Sequence, residues 1–258
     1  MNISEIKAKL ANISVTDKEG LCQFVDEFSF DERSGAIAIV NQAKKKIKLY
    51  EDEVARSTKM RVFENKYIEQ GYQAICGIDE VGRGPLAGPV VACAVILPQD
   101  DMILYLNDSK QISAKKREVL YDEIINRAVS YGIGIVSEAR IDEINILQAT
   151  YEAMRMAVSN LSVTPDLLLN DAVKIPGIDV KQVPIVKGDT LSASIAAASI
   201  VAKVTRDRMM QAYDEIYPGY DFASNMGYGS AKHIEALKTL GQTPIHRKSF
   251  IGNFVHKQ

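Results

Sequence analysis

The spacing of hydrophobic positions changes near residue 70, and the change divides the chain. Before it, Val40, Ala43, Ile47, Tyr50 and Val54 recur at alternating steps of three and four, the stripe of an amphipathic helix. Asp31 stands where it can cap that helix. No proline interrupts residues 1–70, so a small helical appendage is expected there. From Tyr72 onward, short apolar runs bounded by Gly and Pro alternate with longer amphipathic stretches. Ala74 to Ile78 and Pro89 to Leu97 read as two strands and Gly132 to Val136 as a third. Leu167 to Leu169 reads as a fourth, stopping at Asn170-Asp171, and Val180 to Val186 as a fifth. Helices are expected from Ser113, with Val119, Leu120, Ile124 and Ala128 on one side, and from about 141 to 161. The second of these turns Ile144, Leu147, Tyr151, Met154 and Val158 inward. Two more are expected over about 191–216 and 230–240. A helix between the third and fourth strands requires a crossover, so part of the sheet is parallel. The pattern predicts an α/β domain over residues 71–258, with Ala196-Ala197-Ala198 allowing close approach of a helix to the sheet.

Composition narrows the possibilities. With 47% hydrophobic and 25% charged residues, the chain has the make-up of a globular protein. Its net charge of −2 means that any surface for nucleic acid is local. Three widely spaced cysteines without a Cys-x-x-Cys pair argue against a disulfide framework or a zinc site. No apolar stretch suits a signal core or a bilayer span, so a cytoplasmic protein without membrane attachment is expected. Lys44-Lys45-Lys46 and Lys48 form either a contact for a nucleic-acid backbone or a solvated face balanced by Glu51, Asp52 and Glu53. All three histidines (His233, His246, His256) lie near the carboxyl end, with Lys232, Lys238, Arg247, Lys248 and Lys257 set against Glu235. That excess is either an electrostatic track for duplex DNA or another solvated surface.

Candidate chemistry comes from three acidic positions, each closing a strand-like run: Asp79-Glu80, Asp171 and Asp189. Neighbouring strands can bring such ends together, and four carboxylates in one pocket cannot stay unpaired. Mg²⁺ or Mn²⁺ suits an all-oxygen donor set. Two such ions suit in-line attack on a phosphodiester. Adjacent residues on a regular strand face opposite ways, so Asp79 and Glu80 are expected to need a bend or bulge to share a site. Gly82 and Gly84 permit close backbone approach with exposed N–H groups, and Arg83 adds a cation suited to phosphate. Taken singly, an Asp at a strand end is most simply a turn initiator. The set of four, with an Arg and lysines in the loops, favours the metal.

The run Gly77-Ile-Asp-Glu-Val-Gly-Arg-Gly-Pro-Leu-Ala-Gly-Pro-Val90 closely resembles the opening signature of bacterial ribonuclease HII. So do Asn107-Asp-Ser-Lys110, Leu168-Leu-Asn-Asp-Ala172, Lys187-Gly-Asp189, Ser194 to Asp207, Gly227-Tyr-Gly229 and Thr243 to Phe250, in the expected order. The resemblance implies a ribonuclease H-like fold, a mixed sheet flanked by helices. It implies hydrolysis of RNA strands in RNA/DNA hybrids, and cutting beside single ribonucleotides in duplex DNA, with 3′-hydroxyl and 5′-phosphate products. Carried over, Asp79, Glu80, Asp171 and Asp189 become metal ligands. Gly82, Arg83 and Gly84 sense the 2′-hydroxyl, which separates RNA from DNA. Tyr228 presents an aromatic face beside the sugar, and Ser109, Lys110 and Lys187 hold phosphates. Asn170 stands where an aliphatic residue is more usual, and residues 1–70 lie outside the core match, a candidate substrate-binding extension. Arg206 and Asp207 are expected either to pair with each other or to cap the surroundings of the long helix, with Asp207 outside the metal site, and His246 and Arg247 to be structural. A ribonuclease HIII-like enzyme shares the chemistry, but the Gly-Arg-Gly loop and the amino-terminal helix argue against it. A non-catalytic nucleic-acid-binding module would need neither Asp171 nor Asp189.

Overall fold

Polar residues that satisfy free backbone donors mark the helix starts of the first of two units, Met1–Lys59, in a computed structural model that describes residues 1–254. Before helix α1 (Ile3–Ala11), the Asn2 and Glu5 side chains each accept from the other's backbone N–H at 2.9 Å, a reciprocal cap. Asp17 caps α2 (Lys18–Phe28) through the Gly20 amide. Helix α3 (Ser34–Lys59) bears the anticipated stripe, and Ile39, Val40 and Ala43 are buried with Ile6, Leu10, Leu21 and Phe24. Asp31 does not reach the amides of α3's first turn. It binds Arg33 instead, accepting from the backbone N–H at 3.1 Å and from Nε at 2.9 Å.

The second unit begins at Met60 and includes α4 (Val62–Ile68), so the change in texture near residue 70 lies one short helix past the division. Then follow β1 (Ile75–Val81), β2 (Val90–Ile96), α5 (Ala114–Arg127), β3 (Ser130–Val136) and α6 (Glu138–Ser159). After these come β4 (Leu167–Asp171), β5 (Lys181–Ile185), α7 (Gly188–Leu191) and α8 (Ala193–Ile216). The short helix α9 (Phe222–Asn225), α10 (Ala231–Leu240) and α11 (Lys248–Ile251) complete the unit. The five strands are ordered β3-β2-β1-β4-β5, antiparallel from β3 to β1 and parallel from β1 to β5. The sheet is therefore mixed.

The period-two pattern of β2 shows why this sheet has a layer on each face. Val91, Cys93 and Val95 join α8 and α5 in one apolar cluster, whereas Val90, Ala92, Ala94 and Ile96 join α6 in another. The Ala196–Ala198 cluster is buried as its small side chains require. Helix α8 lies so close to β1 that a Cβ on Gly77 would come within 2.1 Å of the Ser194 carbonyl carbon. Buried Glu64 of α4 fixes the start of α8, its carboxylate accepting from Ser192 Oγ at 2.6 Å and the Ser194 amide at 2.9 Å.

Three details of the helices depart from the periodic reading. The stretch from 191 breaks at Ser192, which caps α8 and leaves α7 as a separate turn. Asn145 interrupts α6 with φ 66° and ψ 164°, and its side chain accepts from the Leu147 and Gln148 amides, restarting the helix. The inward face is then Ala149, Ala153, Met154 and Ala157, while Leu147 is 41% exposed. On α5, Leu120 and Ile124 are buried but Val119 is exposed.

Candidate active site

Asp79 sits on the same face of β1 as Gly77, turned toward α8, because side chains on a strand alternate. Glu80 is on the opposite face, yet both line one cavity of about 180 Å³. Of the bend or bulge expected, β1 shows no bulge. Pairing of β1 with β2 continues without interruption from Cys76↔Ile96 to Val81↔Val91. On the other side, β1 pairs with β4 only as far as Ile78↔Asn170. Past that point β1 forms no ladder pair with β4, and the cavity that both carboxylates line lies at this end of the sheet. Gly82 then turns the chain with φ +91°.

Asp171 ends β4 as expected, and its Oδ1 accepts from the Gly188 amide at 2.8 Å. That bond ties the end of β4 to α7, which carries Asp189. Asp189 therefore stands on a helical turn after β5 and not at a strand end, but it lines the same cavity as Asp171, Asp79 and Glu80. Asn170 is fully buried; its Nδ2 donates to Gln182 Oε1 at 2.8 Å and its Oδ1 has no partner.

Gly82, Arg83, Gly84, Ser109, Lys110 and Tyr228 complete the lining together with Val81 and Ser199. Lys187 is the one anticipated site residue outside it; it is exposed, with φ 59°, ahead of α7. Ser199 was not anticipated. It lies one helical turn after Ile195 on α8, its Oγ donates to Ser109 Oγ at 3.0 Å, and its hydroxyl beside the Asp79 carboxyl favours the charged form of that group. Within the Ser194–Asp207 run a small residue reads as helix packing, and only the approach of α8 to β1 reveals its contact with a carboxylate. Ser109 is buried, and its carbonyl accepts from Arg117 at 2.8 Å. The Tyr228 ring, 44% exposed, packs beside Gly84, where a Cβ would stand 3.7 Å from it.

The electrostatics are those of crowded anions. Burial, then the charges of Glu80 and Asp171, push the Asp79 carboxyl well above the usual range, against the stabilising bond from Ser199. Burial also raises Glu80, opposed by Arg83, whose Nη1 lies 3.2 Å from Glu80 Oε1. Asp189 is raised by burial and by Asp108 and Asp171, with Lys110 acting the other way. Among the described residues no three acidic, histidine or cysteine side chains already close around a point as a finished ligand cage. Like charges hold one another apart, and a divalent cation would reverse that repulsion. The donor set fits such an ion: four carboxylates from three chain segments, with neither a histidine nor a cysteine in the lining.

The surrounding basic residues separate into surface and core. Arg247, His233 and His246 are buried and so cannot belong to an exposed DNA track, as one reading of the carboxyl-terminal segment had it. His256 and Lys257 lie outside the described residues. Arg206 and Asp207 do not pair. Arg206 donates to backbone carbonyls, while Asp207 binds Lys203 at 2.6 Å and lies 3.7 Å from Arg117, outside the cavity lining.

Comparison with known proteins agrees with this geometry. The family model for ribonuclease HII matches residues 76–253, and that for the ribonuclease HII N-terminal domain matches residues 2–68. A ribonuclease HII of Lachnoclostridium phytofermentans is 58% identical over 253 residues, covering 98% of both chains. One from Clostridioides difficile is 48% identical, again covering 98% of both. Among solved structures, ribonuclease H2 of Pyrococcus horikoshii is similar at TM-score 0.58 and 26% identity, covering 70% of this chain and 99% of the other. The ribonuclease HII of Archaeoglobus fulgidus, solved in complex with PCNA, is similar at TM-score 0.59 and 26% identity, covering 71% and 98%. The fold is ribonuclease H-like, and the chain belongs to the ribonuclease HII family, an enzyme of the metal-dependent ribonuclease H class.

Proposed function

We propose that this enzyme hydrolyses the RNA strand of RNA/DNA hybrids and cuts on the 5′ side of single ribonucleotides in duplex DNA, leaving 3′-hydroxyl and 5′-phosphate ends. The observation that carries this reading is the convergence of Asp79, Glu80, Asp171 and Asp189 with the Gly82–Gly84 loop and Tyr228 in one cavity. The four carboxylates are the groups to hold two Mg²⁺ or Mn²⁺ ions. Bound there, the ions would activate a water and neutralise charge on the attacking and departing oxygens of the phosphodiester.

The chain's other groups position the substrate. Backbone N–H groups of Arg83 and Gly84 meet the ribose, where only RNA offers a 2′-hydroxyl. Arg83 also holds Glu80 in place through their ion pair. The Tyr228 ring sits against the sugar beyond the junction, next to Gly84. Lys110 and Ser109 contact the phosphates at the cut, and Lys187 reaches the backbone from outside the cavity lining. Residues 1–70 act as an extension that adds to the footprint on the duplex. Among the described residues no helix is long and apolar enough to cross a membrane, in keeping with work on nucleic acid in the cytoplasm.

The test is incubation with a DNA duplex carrying one ribonucleotide, with and without Mg²⁺ or Mn²⁺, and mapping of the product ends. Metal-dependent cutting 5′ to the ribonucleotide supports the reading. Cutting confined to long hybrids would indicate a ribonuclease HIII-like specificity, and binding without cutting would overturn the catalytic assignment.

A further inference from the structure

Two arginines are buried without any exposed surface, Arg206 on α8 and Arg247 just before α11. Among the described residues no carboxylate lies within ion-pair distance of either. Glu138, itself buried, attracts both from further away. Burial, and for Arg247 also the charge of Arg206, lowers their affinity for the proton, that of Arg247 to about 9. Replacing buried charge by well-packed apolar groups is often neutral or stabilising, so stability alone is a poor account of two such cations.

Their donors go to backbone carbonyls of the Gly82–Pro89 loop. Arg247 donates from Nη2 to Gly82 O at 2.6 Å and from Nη1 to Arg83 O at 2.9 Å. Its Nε and Nη2 also reach Gly88 O, at 2.9 and 2.6 Å. Arg206 donates to Pro89 O at 2.9 Å, Ala87 O at 3.1 Å and Met226 O at 2.8 Å. The last of these bonds fixes the chain two residues before Tyr228. Gly82 makes room, since a Cβ there would stand 2.3 Å from Arg206 Nε.

Among the described residues no peptide bond is cis. In a planar trans peptide the C=O and the following N–H point in opposite directions. Holding Gly82 O and Arg83 O on the Arg247 side therefore turns the Arg83 and Gly84 N–H groups away from it. Both residues line the cavity, and among the described residues neither amide donates to another group of the chain. We propose that Arg247, seconded by Arg206, is the positioning residue that aims these two amides at the ribose and so sets the preference for a 2′-hydroxyl. The inference rests on the reading of Gly82–Gly84 as the ribose-sensing loop. A lysine keeps the charge but is a point donor on a flexible stem and cannot span the three carbonyls that the planar guanidinium holds.

The experiment compares the full-length protein with Arg247→Lys and Arg206→Lys, each checked for folding by its melting temperature. Binding is measured by fluorescence anisotropy, in EDTA to prevent cutting, to two duplexes of one sequence, one all-DNA and one carrying a single ribonucleotide. Arg247→Lys is expected to lower the ratio of the two affinities by about tenfold, the worth of a misaimed hydrogen bond, while binding to all-DNA duplex stays near wild type. Arg206→Lys is expected to shift the ratio in the same direction. An unchanged ratio, with or without a lower melting temperature, or an equal loss on both duplexes, would overturn the proposal. If the wild-type protein itself shows no preference, the reading of the loop has failed and the proposal falls with it, whereas a wild-type preference that Arg247→Lys leaves intact overturns the role of Arg247 alone.

Discussion

The buried pair His233 and His246 should make the Tyr228 segment sensitive to acid, and the geometry fixes both the sign and the size of the effect. His233 Nδ1 lies 2.8 Å from Tyr228 O, so it must carry the proton and donate it. His233 Nε2 is then an acceptor, and His246 Nε2, 2.9 Å away, donates to it. His246 Nδ1 is left to accept from the Thr243 amide at 2.9 Å and lies 2.8 Å from the Thr243 hydroxyl. The relay works with both rings neutral. Protonating His233 would set two N–H groups against each other between the rings, and protonating His246 would oppose the Thr243 N–H. Burial, and then the charge of His233, accordingly push His246 from 6.5 down to about 4, and burial lowers His233 as well.

A histidine whose folded pKa is depressed binds more protons when unfolded. Its contribution to stability is complete above about pH 6.5 and is lost as the pH falls toward about 4. The shift of His246 corresponds to about 3 kcal/mol over that window. Asp79, Glu80 and Asp189, whose carboxyls are raised, act in the opposite direction, so the effect must be read as a difference. Urea denaturation of wild type and His246→Gln across this range isolates it. The stability advantage of wild type should shrink by up to about 3 kcal/mol as the solution is acidified. An advantage that does not vary with pH, or a His246 ring that titrates near 6.5 by NMR, would refute the neutral relay.

Other substitutions test the site and its supports. Asp171→Asn should fold with an unchanged or higher melting temperature, since it removes charge from a crowded anionic pocket, while cleavage falls to background. Ser199→Ala removes the hydroxyl that donates to Ser109 and favours the charged Asp79 carboxylate, and should slow cleavage roughly five- to tenfold, measured as initial rate on a ribonucleotide-containing duplex. Gly77→Ala would drive a Cβ into the backbone of Ser194 and Ile195 and should cost about 1–3 kcal/mol or more by denaturant midpoint, because neither neighbour is a flexible side chain.

The strands and the carboxylates at their ends were legible where a local pattern coincided with a global demand. Apolar runs closed by Asp79-Glu80 and Asp171 placed those groups at strand ends, and both strands exist. Asp189 lines the cavity by a different route from the one expected, because Lys187 adopts a left-handed conformation and starts a helical turn where a strand end was expected. Where β1 loses its β4 partner, beside the cavity that Asp79 and Glu80 both line, was hidden, since that depends on a neighbouring strand and not on any residue of β1. Leu147 was misplaced because the Asn145 side chain restarts the helix and shifts its inward face. Arg206 and Arg247 were the hardest to read. A charged residue in a sequence suggests a surface or an ion pair, whereas these two are spent on carbonyls brought together from segments far apart in the chain.

The account stands on Asp79, Glu80, Asp171 and Asp189 acting as one site for divalent cations. Anomalous scattering from crystals soaked in Mn²⁺ tests that directly. Density peaks are expected within coordination distance of the Asp79 and Asp171 carboxylates, absent from Asp171→Asn crystals treated identically. Peaks confined to other parts of the surface, or peaks at Asp79 that persist without the Asp171 carboxylate, would contradict it.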